Sequence, residues 1–152
     1  MNYPEKIELV LTYRHDADDP ELFTERVEAE RCGDFYKLIH VPAFAKNIAY
    51  GDIVKVQFED GEFHFDKLVN ESGYSVVHIV IFKMESRDRL VAELNQLRCG
   101  VSTNIADNYV VLSIPPAVVY QSVQEYLLIE ELSGNIDFRE SCLSRLHASN
   151  KN

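Results

Sequence analysis

Tryptophan is absent from the 152 residues, methionine occurs twice and cysteine three times. Cys32, Cys99 and Cys142 are odd in number, far apart and outside any C-x-x-C spacing, which argues against a disulfide framework or a zinc site. No apolar run approaches the ~20 residues of a membrane span. The opening stretch MNYPEKIELVLTYRHD has charge on both sides of a short apolar run and no small-residue cleavage site, so a signal peptide is not expected. A reducing cytoplasm fits best. Positive charge is also scarce: 15 Lys and Arg stand against 25 Asp and Glu, for a formal net charge of -10. Nucleic-acid binding draws its affinity from basic residues that neutralise phosphates, and anionic membranes repel an acidic surface, so neither partner is expected. A basic protein would be attracted and steered toward such a surface. The alternative is acidity that only keeps the protein soluble.

What is present is apolar patterning, with 46% of residues hydrophobic, enough for a sizeable core. The first half alternates with the period of a strand. Lys6–Tyr13 sets Ile7, Leu9 and Leu11 on one face, and the polar HDADDPE loop follows. Thr24–Arg31 and Phe35–Val41 continue the alternation, and Pro42 stops it. In YGDIVKVQFEDGEFHF, residues 50–65, Asp60-Gly61 separates two alternating runs, a strong hairpin signal. The second half changes period. Tyr74–Phe82 is nearly all apolar. Ser86 can cap a helix with Leu90, Val91, Leu94 and Leu97 on one stripe, and Gly100 sits where it ends. Val101–Ile105 and Tyr109–Ile114 read as strands, Pro115-Pro116 opens a helix that carries Val119, Val123, Tyr126 and Leu127 and ends at Ser133-Gly134, and Ile136–Arg139 closes the series. This order predicts an α+β chain: an N-terminal small antiparallel β-barrel-like subdomain over 1–72, packed on a C-terminal ferredoxin-like βαββαβ subdomain over 73–146, with a frayed tail at 147–152.

The segments Gly33–Leu38, Pro42–Phe44, Gly51–Val54 and Ser72–Ser75, then Cys99-Gly100 and Pro115-Pro116, together resemble a bacterial family catalogued as domain-of-unknown-function family 4265. The likeness lies in their order and spacing across most of the chain. The family's usual early tryptophan is missing, and its arginine after the serine corner is replaced by His78. Members look similar to proteins encoded beside polymorphic or contact-delivered bacterial toxins, so the resemblance implies an immunity protein. It supplies no catalytic residues and no cofactor.

Among candidate sites, His64 and Asp66 share a strand face if the alternation holds, as a metal pair or a base with its orienter would need. Two groups make at most half a site, so they read as solvent-face residues of a hairpin. His78, inside an apolar strand, reads as a hydrogen-bonded core histidine. No catalytic motif occurs, and neither an enzyme nor a metal site is expected. The acidic clusters are better candidates: Asp16, Asp18, Asp19, Glu21 and Glu25 crowd one region, and Glu59, Asp60 and Glu62 crowd the hairpin tip. Such crowding costs stability through repulsion, and docking against the lysines and arginines of a partner would account for it. The expected function is therefore a cytoplasmic immunity protein that binds and neutralises a cognate toxin, a basic nuclease domain, through these eight carboxylates. A small-ligand-binding or self-associating regulatory module of the ferredoxin-like type is the alternative. The oligomeric state is not legible.

Overall fold

Apolar alternation produces nine strands among residues 3–149, the part of the chain that the computed structural model describes. Two units divide the chain, Met1–Ser72 and Gly73–Asn152. In the first, β1 (Lys6–Tyr13), β2 (Phe23–Cys32), β3 (Phe35–Leu38), β4 (Ile53–Glu59) and β5 (Glu62–Asn70) form a closed barrel. β1 and β2 pair antiparallel with Leu9 opposite Val27 and Tyr13 opposite Phe23. Ile7, Leu9, Leu11, Val27, Ala29 and Leu38 fill the interior, each large aliphatic contributing about 1.5–3 kcal/mol of burial. Tyr36 is buried among them and donates its hydroxyl to the Pro4 carbonyl at 2.6 Å.

Closure depends on a short parallel pairing of β1 with β5, Leu9 opposite Phe63 and Val10 opposite His64. Beyond it the β4–β5 register shifts between Lys55 and Val56, leaving Asp66 as an extra residue on β5. A bulge bends a strand and increases its twist. After that point every residue of β5 from Phe65 to Asn70 is exposed. The hairpin at the start of β5 turns on Asp60 at φ 52° and Gly61 at φ 78°. Positive φ at both central residues is the conformation that a right-twisted two-residue hairpin requires.

The second unit is a four-stranded antiparallel sheet in the order β7-β8-β6-β9, built from β6 (Ser75–Ile81), β7 (Gly100–Ala106), β8 (Tyr109–Ile114) and β9 (Ile136–Cys142). α1 (Arg87–Gln96) and α2 (Tyr120–Leu132) bury Leu90, Leu94, Val123 and Leu127 in one core with Val77, Ile79 and Leu112. A short helix, α3 (Arg145–Ser149), follows β9.

Strand accounts for 44% of the described residues and helix for 21%. The expected α+β class with a ferredoxin-like βαββαβ second half is therefore corrected: the fold is β-rich, with two sheets and three helices. Two physical reasons underlie the difference. Tight turns such as Asp60-Gly61 spend few residues between long strands, while the two larger helices have only 10 and 13 residues. Of the tail at 147–152, expected to fray, residues 147–149 belong to α3, and His147 is buried. Residues 150–152 of that tail lie outside the described residues. Among the described residues no helix is long and apolar enough to cross a membrane.

Candidate functional site

One surface feature of the barrel is built where β1 hands over to β2. The link between them folds on itself: Arg14 donates to the Asp19 carbonyl at 2.7 Å, Asp19 N donates to Asp16 O at 3.0 Å, and Glu21 N donates to Asp19 Oδ1 at 2.9 Å. An aspartate that accepts from the backbone two residues on mimics a turn, so Asp19 shapes the loop. Asp16, Asp18 and Glu21 are exposed along it.

Glu25 has a different role. Its carboxylate accepts the backbone N–H groups of Ala43 at 2.5 Å, Phe44 at 3.0 Å and Ala45 at 2.9 Å. Three charge-assisted bonds tie the 42–47 loop to β2 and bring the Phe44 ring against Tyr13, centroids 5.5 Å apart and stacked. Tyr13 stacks in turn on Phe23 at 5.7 Å, and His15 lies 4.3 Å from Phe23. Burial raises the Tyr13 phenol, and the nearby Glu25 charge raises it further. The result is an aromatic group of Tyr13, His15, Phe23 and Phe44, with Phe44 exposed at 37%, and the loop that joins Tyr13 to Phe23 carries the exposed Asp16, Asp18 and Glu21. Glu25→Gln should loosen this loop at a cost of about 1–2 kcal/mol, because an amide offers one acceptor oxygen where three donors converge. Hydrogen exchange at Ala43, Phe44 and Ala45 should accelerate in that variant.

The other carboxylates lie elsewhere. Glu62 pairs with Arg26 at 2.8 Å, and the same guanidinium holds Glu8 at 3.1 Å. A cavity of about 290 Å³ adjoins them, lined by Lys6, Ile7, Val10 and Phe63 among others. Because β5 runs parallel to β1 with Phe63 level with Leu9, the Glu59–Glu62 turn sits beside the start of β1 and the acidic loop beyond its end. At ~3.3 Å per residue the two clusters are about 20 Å apart. The eight carboxylates thus form two groups: Asp16, Asp18, Asp19, Glu21 and Glu25 at one barrel end, Glu59, Asp60 and Glu62 at the other. Within them Asp60 forms a turn, Asp19 and Glu25 hold backbone, and Glu62 is ion-paired.

The histidine candidates are separated. The bulge at Asp66 breaks the alternation that would align it with His64, and Asp66 lies 3.9 Å from Lys55. His78 is buried on β6, its ring 5.8 Å from Tyr109. Among the described residues no three His, Cys, Asp or Glu side chains gather as a metal site.

Sequence reading missed a buried pair in the second unit. Ser75 Oγ lies 2.6 Å from His147 Nδ1, and His147 Nε2 lies 3.0 Å from the Pro115 carbonyl. The arrangement resembles a nucleophile and its base, but both residues are at 0% exposure, which closes them to a substrate. They fasten α3 to the start of β6. Separated by 72 residues, they give no local signal. Nearby Tyr120 donates to Glu140 at 2.5 Å. Burial first, and then the Glu140 carboxylate, push its phenol far above the ordinary range.

A closed five-stranded barrel followed by a four-stranded antiparallel sheet with helices defines a β-rich protein of two units. Residues 25–138 match the family described as Domain of unknown function (DUF4265), and the chain belongs to that family. It is similar to a hypothetical protein from Neisseria gonorrhoeae of known crystal structure, at 26% identity over 94% of this chain and 99% of that one, with a TM-score of 0.81. No curated protein matches the chain.

Proposed function

We propose that the chain is a cytoplasmic immunity protein: a binding protein that captures a cognate bacterial toxin of basic surface, a nuclease domain in the reading that the charge favours, and neutralises it by covering its substrate-binding face. The observation that supports this is the barrel end where Phe44 is exposed on an aromatic group with Tyr13 and Phe23, and the loop that joins those two residues carries the exposed Asp16, Asp18 and Glu21. Protein interfaces pair an apolar, aromatic centre with a polar rim, and the buried aromatics contribute most of the affinity. A nuclease must present basic residues to phosphate, so a carboxylate rim is complementary to the surface that requires blocking. The same charge speeds encounter, which suits an inhibitor that must act before its target does. No cofactor takes part.

The test is co-expression and binding with the product of the neighbouring gene. Tight binding and protection are expected. Replacing Asp16, Asp18 and Glu21 together with asparagine or glutamine should lower the association rate about 10- to 100-fold at low salt, and less at high salt. Phe44→Ala should act on dissociation instead, weakening binding by about 30-fold or more. Absence of both binding and protection refutes the reading.

A further inference from the structure

α2 has two apolar faces. One is the core face, where Tyr120, Val123 and Leu127 are at 0% exposure. On the opposite side Glu125, Leu128, Ile129 and Leu132 follow the i, i+3, i+4, i+7 spacing of a single helical stripe. The apolar members are exposed at 41%, 63% and 85%. A lone exposed leucine needs no explanation, whereas three large aliphatics in register form a patch of the kind that marks an interaction surface.

The charges around the stripe are arranged unevenly. The helix sequence YQSVQEYLLIEEL contains no basic residue. At its C-terminal end the cation comes from another element: Lys83, in the link after β6, donates through Nζ to the Ser133 carbonyl at 3.3 Å. A cation at that position favours the negative end of the helix dipole. At the other end of the stripe stands Glu125, exposed and hydrogen-bonded to Gln121 of its own helix at 3.1 Å. The stripe is therefore apolar along its length, with Glu125 at one end and, at the other, the Lys83 ammonium on the Ser133 carbonyl, two residues beyond Glu131.

We propose that this face of α2 is a self-association surface whose occupant is α2 of a second copy, crossing antiparallel about a two-fold axis at Ile129. In that arrangement the residue four before Ile129 meets the residue four after it on the other copy. Glu125 of each chain thereby meets Ser133 of the other, where Lys83 is held. The two-fold makes both pairs at once, while Leu128 and Leu132 pack against the facing stripe. A parallel crossing would set Glu125 against Glu125 with no cation between them. A uniformly basic partner would meet Lys83 with like charge at one end of the stripe. Charge complementarity thus selects a second, antiparallel copy. A 13-residue helix is about 20 Å long and offers less than the ~800 Å² per partner of a standard interface, so the dimer is a transient one, forming at micromolar concentrations or above.

Analytical ultracentrifugation of the full chain tests this. The average mass should rise with concentration from the 17.5 kDa of one chain toward twice that value. Ile129→Glu, which sets like charges on the axis at an exposed position, should raise the dissociation constant by about 100-fold or more while leaving helix content by circular dichroism unchanged. Lys83→Glu and Glu125→Lys should each weaken the dimer, and the two together should restore it, a rescue that a merely local role of either residue would not give. A mass of one chain at every concentration overturns the proposal, and so does a dimer that survives Ile129→Glu or shows no rescue in the charge exchange.

Discussion

His147→Ala is expected to lower the unfolding free energy of the Gly73–Asn152 unit by about 3 kcal/mol, read as a reduced chemical-denaturation midpoint. The ring is at 0% exposure, and its hydrogen bonds fix its tautomer. The Pro115 carbonyl can only accept, so the imidazole proton resides on Nε2, and Nδ1 of the neutral ring accepts the Ser75 hydroxyl proton, while Ser75 Oγ accepts from Ser144 N at 2.9 Å. Alanine removes both partners, leaves the buried Ser75 hydroxyl without an acceptor, and opens a cavity beside the Tyr120 ring, 5.8 Å away between centroids. Ser75→Ala removes two bonds, the one to His147 and the one from Ser144 N, but opens a smaller cavity, and its cost should be nearer about 2 kcal/mol. Burial also lowers the His147 pKa below its ordinary 6.5, more than its bonds to backbone carbonyls raise it. The unfolded chain then binds the proton more readily than the folded one. Stability is full above about pH 6.5 and is lost as pH falls from there toward the lowered folded value. The alanine variant should lose that dependence as well as the stability.

Local signals explain which parts of this fold can be read from sequence. Ile7, Leu9 and Leu11 alternate within β1, and Asp60-Gly61 marks the β4–β5 hairpin, because side-chain period and positive φ are properties of a few consecutive residues. The β4–β5 bulges are not visible in this way, since they depend on which residues of two strands face each other. That is why His64 and Asp66 read as neighbours on one face. Ser86 precedes α1 as its spacing indicates, yet its hydroxyl donates back to Lys83 O at 2.6 Å and does not cap the helix. Class was misjudged because a helix of 10 residues and a strand of 7 announce themselves about equally in a sequence, while their summed lengths determine the class. At the candidate site, the acidic loop is legible as composition. The function of Glu25 is not, because its donors lie 18 to 20 residues away on a loop that only the folded barrel brings near.

Asp52→Asn is expected to destabilise the barrel by about 2 kcal/mol at neutral pH, although it removes a buried charge. Asp52 is at 1% exposure, with one carboxylate oxygen accepting from Ala49 N and the other from Ser72 N, both at 2.9 Å. An amide keeps one of those acceptors and turns the other into a donor facing a donor, so one buried N–H loses its partner at roughly 1–3 kcal/mol. Burial raises the Asp52 pKa above 3.8, and the N–H groups of Ser72 and Ala49 offset only part of that rise. The sign of its pH dependence is opposite to that of His147. The folded barrel binds the Asp52 proton more readily than the unfolded chain, so as pH falls through the raised value toward 3.8 this group adds stability. Acidification should therefore weaken the unit that contains His147 while Asp52 acts to strengthen the one that contains it. Hydrogen exchange followed by mass spectrometry at pH 7.5 and pH 5.5, corrected for intrinsic rates, should show amides of β6 and α3 losing protection relative to those of β1 and β4. Equal loss in both units would remove the assignment of these two groups as the source of the pH response.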